Sequence, residues 1–340
     1  MKQVLLDENE NRYKANLHCH TNVSDGRFSP AEVKEQYQNH GYSVIAYTDH
    51  DILIPHDDLN DDNFLALHGY EMEFTGEIKK DASHKTCHFC LIQRDPNNLK
   101  QVCWHREKYV NCGNNSKYKD QIQFDENEPD FERDHNPEII TKAMKLAREN
   151  GFFVTYNHPT WSMESFEDYM NFHGMHAMEI CNYSCYCDGH EEYNARVYDD
   201  MLKGGERIYC IGADDNHNWP DVDAPDYDSF GAFTVIFAKE LSYKAIMDSL
   251  FEGRFYASQG PQIFSLSYDE EKIYLKCSPA RRIYLSTNGR HLQWRYSKET
   301  PLCEAEFTIP KECLYFRITV EDFSGMHANT NAYFLDDIEK

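Results

Sequence analysis

Nine side chains of the types that bind metal ions are spread along the chain, and most of them follow a short apolar run. Histidine nitrogens and carboxylate oxygens are ligands for divalent transition metals. Side chains at the ends of neighbouring strands can meet in space although they are far apart in sequence. The series therefore predicts a binuclear or trinuclear metal centre with the ligands His18, His20, Asp25, His50, Glu71, His88, His158, Asp215 and His217.

Two pairs of these residues have the spacing of one strand face. His18 and His20 are two residues apart on a predicted strand, so both imidazoles leave the same face and can converge on one ion. Asp215 and His217 have the same spacing just after another predicted strand. Two further histidines directly follow apolar runs, in the segments TDH at 48–50 and NHP at 157–159.

The seventeen histidines of the chain make some of these assignments less specific. His84 and His88 compete for one position, and we prefer His88 because it enters an apolar run at 89–92. Glu71 and Glu73 compete in the same way, because both would leave one face of an extended segment.

Short apolar runs alternate with helix signals over the first two thirds of the chain. A capping box with proline at the first helical position begins at Ser29, and Gly41 is the expected end of that helix. Further helices are predicted over 136–151, 191–203 and 242–253. This alternation favours an α/β fold with a mostly parallel sheet, closed or open. The predicted strands are 16–20, 42–48, 64–72, 86–92, 152–156, 177–181, 207–212 and 230–237.

Two stretches depart from this alternation. Residues 93–134 are rich in Asn, Asp, Lys and Glu, which predicts a solvated insertion, with a lid over the site as the alternative. From residue 263 the pattern changes to short alternating runs, and Asn288-Gly289 is a strong hairpin turn. We therefore expect one α/β unit over 1–262, which contains the insertion at about 93–134, and a small all-β sandwich over 263–340.

The composition disfavours several classes of protein. A formal net charge of -24 argues against binding long nucleic acid or an anionic membrane through the general surface field. The segment MKQVLLDENEN lacks the pattern of a secretory signal, and no run reaches membrane-spanning length. Twelve cysteines without such a signal are typical of reduced thiols. We expect a cytoplasmic protein that acts on a small molecule, and the sequence indicates no oligomeric state.

Six motifs resemble, in order, those of the polymerase and histidinol phosphatase (PHP) superfamily of metal-dependent phosphoesterases. NLHCHTNVSDG is similar to that family's first motif, YTDHD to its second and HGYEMEF to its G-x-E element. HFCLI, YNHP and GADDNH are similar to its later histidine and D-x-H motifs. The six motifs span about residues 16–217, and together they are far more specific than any one of them.

The resemblance implies a fold and a distribution of the ligands. The implied fold is a distorted seven-stranded β/α barrel, which is consistent with the alternation of strands and helices. The resemblance also implies that Glu71 bridges two metals. The three implied metal sites are His18, His20, Glu71 and Asp215 for the first, Glu71, His88 and His158 for the second, and Asp25, His50 and His217 for the third.

The chemistry expected from such a centre is hydrolysis of a small phosphoester. Two or three divalent ions, Zn, Mn or Fe, opposite three carboxylates would leave a local positive charge that suits a small phosphorylated substrate. A metal-bound water would be the nucleophile, because zinc can lower the pKa of such a water to about 7. Candidates for an orienting group or a general acid are Asp49, Asp51, Glu73, Glu179 and Asp214.

Substrate contacts and other functions are less well defined by the sequence. The basic or polar candidates for touching the substrate are Arg254, Arg196 and His190. The segment GRFYASQGP from Gly253 and the β region after it resemble a branch of the superfamily that includes a carbaryl-type ester hydrolase. Hydrolysis of a carboxylic ester, carbamate or amide at the same centre is therefore the alternative activity. A non-catalytic metal-binding or ligand-binding module is the alternative from a different class.

Overall fold

The computed structural model describes residues 2–76, 84–290 and 292–338, which form a mixed α/β structure with one large sheet. This agrees with the predicted α/β class. The strands are β1 Gln3–Leu6, β2 Asn11–Asn16, β3 Val44–Tyr47, β4 Leu65–Thr75, β5 Thr86–Gln93, β6 Lys100–Gln101, β7 Gln123–Phe124, β8 Phe152–Tyr156, β9 Ala177–Asn182, β10 Tyr209–Ala213, β11 Phe233–Ala238, β12 Phe255–Ser258, β13 Ile263–Asp269, β14 Lys272–Ala280, β15 Arg282–Thr287, β16 Gln293–Tyr296, β17 Leu302–Thr308, β18 Tyr315–Glu321, β19 His327–Thr330 and β20 Tyr333–Phe334. The helices are α1 Pro30–Asn39, α2 Pro137–Glu149, α3 Phe166–Tyr169, α4 Tyr183–Cys187, α5 Ala195–Lys203, α6 Tyr243–Glu252 and α7 Leu335–Ile338, with 3-10 helices at Asp57–Leu59 and Asn115–Gln121.

Seven strands of the large sheet have the order β10-β9-β8-β5-β4-β3-β2. The predicted ligands lie in these strands or in the segments that follow them. The pairs β2–β3, β3–β4, β8–β9 and β9–β10 are parallel, as predicted. β5 differs, because it runs antiparallel to both β4 and β8. The connection from β4 to β5 spans only residues 76–85, which is too short for the crossover that a parallel pair requires.

The first and last of these seven strands meet just beyond their ends. Cys19 and Asn216 form an isolated parallel bridge. Next to it, the Asp215 amide donates to the His18 carbonyl at 3.0 Å, and the His20 amide donates to the Asn216 carbonyl at 3.1 Å. The backbone segments that carry four of the predicted ligands are therefore held side by side.

Helices cover the outside of this sheet with apolar faces. Ser29 caps α1 in a capping box with Glu32, as predicted. Helix α2 buries Ile140, Ala143, Met144 and Ala147, which lie in one apolar cluster with residues of β4, β5 and β8. Helix α6 ends at Gly253, whose φ of 73° is the left-handed conformation that glycine adopts readily. No helix in the described part of the chain combines the length and the apolar character needed to cross a membrane.

The C-terminal strands form two layers with one apolar core. A four-stranded sheet has the order β1-β13-β14-β17, so the N-terminal strand β1 lies among the C-terminal strands. The second layer, β19-β18-β15-β16, continues the large sheet because β12 pairs with both β11 and β19. Buried side chains of both layers, such as Leu275 and Ile318, belong to one core cluster. The predicted division at residue 262 falls between β12 and β13.

Candidate metal centre

The nine predicted ligands come from six places in the run from β2 to β10. His50 follows β3, His158 follows β8, and Asp215 and His217 follow β10. Glu71 lies within β4, and His88 lies near the start of β5. Because β5 is antiparallel to its neighbours, its first residues lie where the parallel strands finish. His88, at the beginning of β5, therefore lies at the same edge as His50 and His158, which follow the ends of β3 and β8.

The predicted strand over 16–20 is wrong in its bounds. β2 ends at Asn16, and His18 and His20 lie in the irregular segment after it. The physical reason is that the chain beyond Asn16 pairs through a single bridge at Cys19 rather than through a continued ladder. The two imidazoles converge nevertheless, because their Nε2 atoms are 3.0 Å apart.

The donor atoms of the nine side chains gather into three groups, and within each group they lie within 4.8 Å of one another. Glu71 belongs to two groups, and His20 also belongs to two. The sequence did not place His20 with the third group. The groups are His18, His20, Glu71 and Asp215; Glu71, His88 and His158; and His20, Asp25, His50 and His217.

Glu71 is the centre of this arrangement. Its Oε1 lies 3.2 Å from His18 Nε2, 3.2 Å from His88 Nδ1 and 3.4 Å from His158 Nε2. Its Oε2 lies 3.3 Å from His20 Nε2 and 3.2 Å from His50 Nδ1. One buried carboxylate therefore faces five imidazoles, which is the placement expected of a ligand shared between two ions.

The third group is more open than the other two. Asp25 Oδ2 lies 3.5 Å from both His50 Nε2 and His217 Nε2, and Asp25 Oδ1 lies 3.6 Å from His20 Nδ1. The Asp25 side chain is 29% exposed and that of His217 is 24% exposed, whereas those of His18 and His20 are fully buried.

The donor set fits divalent cations. Asp215 Oδ1 lies 3.0 Å from the Nε2 atoms of both His18 and His20, yet it has no hydrogen-bond partner among the described residues. His20 Nδ1 is likewise buried and without a partner there. Buried polar atoms are normally satisfied. Several nitrogen and oxygen donors that face one another across 3 Å indicate a cation-binding site, and the mixture of imidazole and carboxylate suits Zn, Mn or Fe.

Mutual attraction keeps the carboxylates of the centre ionised. Burial alone would raise the pKa of Glu71, but His18 and His88 hold it well below its usual range. Burial would also raise the pKa of Asp215, which His18 and His20 lower instead. Burial lowers the pKa of His50 to about 3, so this imidazole stays neutral. Against the effect of burial, the neighbouring carboxylates raise the pKa of His158 to about 9 and those of His18 and His20 well above the usual range, so without an ion these imidazoles hold protons that metal binding would release.

Two of the predicted ligands have left-handed backbone conformations, which are rare for residues other than glycine. The φ angle is 24° at His158 and 55° at Asp215. Each is held by a specific bond, because the His158 amide donates to Glu179 Oε2 at 3.0 Å and the Asp215 amide donates to the His18 carbonyl. Backbone strain of this kind concentrates at functional sites and persists where surrounding contacts fix it.

Among the predicted supporting carboxylates, Glu179 contacts the centre directly. Its Oε1 accepts from His18 Nδ1 at 2.7 Å, and its Oε2 also accepts from Asn182 Nδ2 at 2.9 Å. Its side chain is fully buried. A proton held at His18 Nδ1 leaves the Nε2 lone pair facing Glu71 and Asp215, so Glu179 orients this ligand.

The other supporting candidates act on the loops around the ligands. Asp49 accepts from the amides of Thr21 and Ser24 and so shapes the loop that carries Asp25. Asp51 forms a buried ion pair with Arg133 at 2.5 Å.

Asp214 and Glu73 have different surroundings. Asp214 accepts from the amides of Phe230, Gly231 and Ala232, and burial raises its pKa to about 6. It has no hydrogen bond to the nine side chains in the described structure. Glu73 accepts from the Thr75 hydroxyl and lies in the wall of a cavity above the donor groups.

A cavity of about 710 Å³ opens above the donor groups. Its described lining contains seven of the nine predicted ligands, together with Glu73, Asp188, Asp226 and Asp228, and has no lysine or arginine. Arg254, Arg196 and His190 are not part of this described lining. Arg254 pairs with Glu10 and Glu252, and Arg196 pairs with Asp200.

Sequence reasoning missed two tryptophans at this cavity. The Trp161 ring packs edge-on against His158 and His88, with centroid distances of 4.9 and 5.4 Å. Trp219 Nε1 donates to the Asp25 carbonyl at 2.9 Å. The available signal was their position, because each follows a predicted ligand by two or three residues.

Comparison with solved structures finds similarity at low sequence identity. A two-domain protein from Bacteroides vulgatus ATCC 8482, described as containing a predicted PHP-like metal-dependent phosphoesterase, is 17% identical, with 96% of both chains covered and a TM-score of 0.45. A metal-dependent phosphoesterase, so named, from Bifidobacterium adolescentis ATCC 15703 is 15% identical, covering 64% of this chain and 92% of that one, with a TM-score of 0.39.

A third structure is an amidohydrolase from Chromobacterium violaceum with bound SO4 and no metal. It is 14% identical, with 60% of this chain and 87% of that one covered and a TM-score of 0.42. No protein-family model matches the chain, and no curated protein matches it. The chain is thus similar to solved structures named as metal-dependent phosphoesterases, one of them PHP-like.

Proposed function

We propose that this protein is a metal-dependent hydrolase that cleaves a small phosphoester at a centre of two or three divalent ions. The observation that carries the proposal is the convergence of nine histidine, aspartate and glutamate side chains into three donor groups that share Glu71 and His20. Such density of imidazole and carboxylate donors, with unsatisfied buried atoms among them, suits a multinuclear site. The sequence motifs resemble those of PHP phosphoesterases, which supports the same class.

In this proposal each donor group holds one ion. His18, His20, Glu71 and Asp215 hold the first, Glu71, His88 and His158 the second, and Asp25, His50 and His217, together with the shared His20, the third. When bound, such ions supply Lewis acidity toward a phosphoryl oxygen and activation of water.

The chain itself fixes which imidazole nitrogen faces the centre. Glu179 accepts from His18 Nδ1, Ser162 Oγ lies 3.1 Å from His158 Nδ1, and the Asp215 carbonyl lies 3.0 Å from His217 Nδ1. A proton held at each Nδ1 leaves each Nε2 lone pair directed at the donor groups. Three ligands are therefore oriented before any ion arrives, which lowers the cost of binding it.

The cavity supports a small substrate with one anionic group. Its volume of about 710 Å³ is within the range of small-molecule sites. The described lining offers acidic groups and histidines but no lysine or arginine, so ions bound by those groups are the source of positive charge for binding a phosphate. Loss of the ions should therefore abolish phosphate binding as well as turnover.

We also propose the finer architecture that the resemblance implies. The seven strands from β2 to β10, whose ends meet at Cys19 and Asn216, would form a distorted barrel. The two C-terminal layers with a common core would form a β-sandwich.

Hydrolysis of a carboxylic ester, carbamate or amide is the second candidate activity, because a centre of this kind suits both reactions. Purified protein with added Mn or Zn should be assayed on p-nitrophenyl phosphate, bis-p-nitrophenyl phosphate and p-nitrophenyl acetate. We expect turnover of a phosphate substrate that His18→Ala abolishes. Turnover of the acetate with inertness toward both phosphates would reverse the order of the two activities. Inertness toward all three, with normal ion binding, would favour a non-catalytic module.

A further inference from the structure

A tight turn of the insertion lies directly against the loop that carries Asp25. We infer that this turn, residues 112–115 and here called the clasp, is a built-in support of the third donor group, which positions Asp25 and His50 for an ion. The inference rests on the proposed function, because it assigns these two residues to ion binding. It makes the insertion a component of the centre rather than a separate lid.

Close backbone contact at Gly113 is the first observation. A Cβ atom placed on Gly113 would lie 2.0 Å from the Ser24 carbonyl oxygen and 2.8 Å from Asp25 Cα. Its φ of +54° is also a conformation that other residues rarely adopt. Since the atoms met are backbone, they cannot move aside as a flexible side chain would. The position requires glycine for the clasp to touch the Asp25 loop.

Hydrogen bonds from the clasp reach both loops of the third group. The Asn114 amide donates to the Ser24 carbonyl at 2.7 Å. Asn115, which is fully buried, donates from Nδ2 to the His50 carbonyl at 2.9 Å. The Cys112 thiol donates to Asp25 Oδ2 at 3.4 Å, the same oxygen that faces His50 and His217. No hydrogen bond described in the structure joins the clasp to His88, His158 or Asp215.

The rest of the insertion anchors the clasp to the same two loops. Val23 and Ile52 share a small apolar cluster with Trp104 and Ile122 of the insertion. Gln101 Nε2 donates to the Asp51 carbonyl at 3.0 Å. These contacts lie two residues before Asp25, at Val23, and directly after His50, at Asp51 and Ile52. Because the third group is also the most exposed of the three, its geometry depends most on such support.

The direct test is ion stoichiometry and affinity in Gly113→Ala. Equilibrium dialysis of wild-type and variant protein against Mn or Zn, followed by elemental analysis, gives the number of ions and their dissociation constants. Loss of groups that orient ligands typically weakens metal binding by about 10-fold to 100-fold. We expect that loss for one ion per chain and unchanged affinity for the others. Gly41→Ala is the matched control, because Gly41 has a φ of +76° and no atom of the described residues lies within 4 Å of its added Cβ.

Milder substitutions keep the test decisive if Gly113→Ala does not fold, which its thermal unfolding and circular dichroism would reveal. Cys112→Ser retains a donor for Asp25 and should bind ions as the wild type does. Cys112→Ala and Asn115→Ala each remove one bond and should weaken the same single ion that Asp25→Ala removes.

The outcomes separate this inference from the proposed function. A wild-type chain that binds no divalent ion would overturn both. Ion binding by the wild type, with the same affinities in Gly113→Ala, Cys112→Ala and Asn115→Ala, would overturn the clasp alone. Equal weakening of all ions in these variants would also contradict it, because the clasp would then act on the fold as a whole.

Discussion

Glu179→Gln should weaken ion binding without changing the shape of the side chain. The two oxygens of Glu179 accept from three donors, namely His18 Nδ1 at 2.7 Å, the His158 amide at 3.0 Å and Asn182 Nδ2 at 2.9 Å. A glutamine amide offers one acceptor oxygen, and its NH2 group must face a donor in either orientation. If the NH2 faces His18, the imidazole proton is driven to Nε2, which then cannot bind an ion.

The size of the effect depends on which hydrogen bond of Glu179 the glutamine loses. Removing the partner that orients a metal-binding histidine costs about 10-fold to 100-fold in metal affinity, which is about 1.4 to 2.7 kcal/mol. If the NH2 faces the other side, two buried donors lose their acceptor, at about 1 to 3 kcal/mol each in the free energy of unfolding. Either orientation therefore gives a measurable loss.

Titration with Mn or Zn by calorimetry would measure the affinity in wild type and Glu179→Gln. Asp214→Asn is the control, because Asp214 is equally buried and accepts three backbone amides but has no described hydrogen bond to the nine side chains. We expect Asp214→Asn to lose stability while the folded protein keeps its ion affinity. Wild-type affinity together with wild-type stability in Glu179→Gln, or an equal loss of affinity in both variants, would refute the role given to Glu179.

Three further predictions concern stability. Burial, with a smaller contribution from Arg148, lowers the pKa of His176 to about 3 from 6.5 in the unfolded chain, so the unfolded state takes up the proton first. The free energy of unfolding should therefore fall as the pH drops from 6.5 toward 3, by about 3 kcal/mol at pH 4. Urea unfolding should show no such loss in His176→Gln. Arg133→Met should cost about 3 kcal/mol or more by leaving the buried Asp51 charge unpaired, and Arg133→Met with Asp51→Asn should recover most of it; equal stability of the two would contradict the ion pair. Adding Mn or Zn at about 100 times its dissociation constant should stabilise the chain by about 2.7 kcal/mol per ion, seen as a higher Tm that a chelator reverses; in His18→Ala the rise should be smaller by the share of the first ion.

The sequence predicted which side chains come together more accurately than it predicted the strand arrangement that brings them together. All nine side chains come together in the donor groups. This was predictable because histidines and carboxylates that follow apolar runs indicate strand ends at a common edge. The antiparallel course of β5 was missed, although the short stretch between Thr75 and Thr86 was a usable signal.

No local sequence pattern predicts the contacts between residues that are far apart in the chain. The pairing of β1 with β13 joins distant residues and depends on the two layers having a common core. The insertion was predicted to be solvated because it is polar, yet its few apolar residues pack on Val23 and Ile52. The contact of Gly113 with Ser24 likewise depends on tertiary packing, so spacing could not reveal it.

Anomalous scattering from crystals grown with Mn or Zn tests the central claim most directly, because it locates ions and counts them. We predict two or three anomalous peaks, each within the donor groups around Glu71, and the loss of peaks from the first group in His18→Ala crystals. Crystals whose ions lie elsewhere, or which hold none at the nine side chains at saturating metal, would contradict the account.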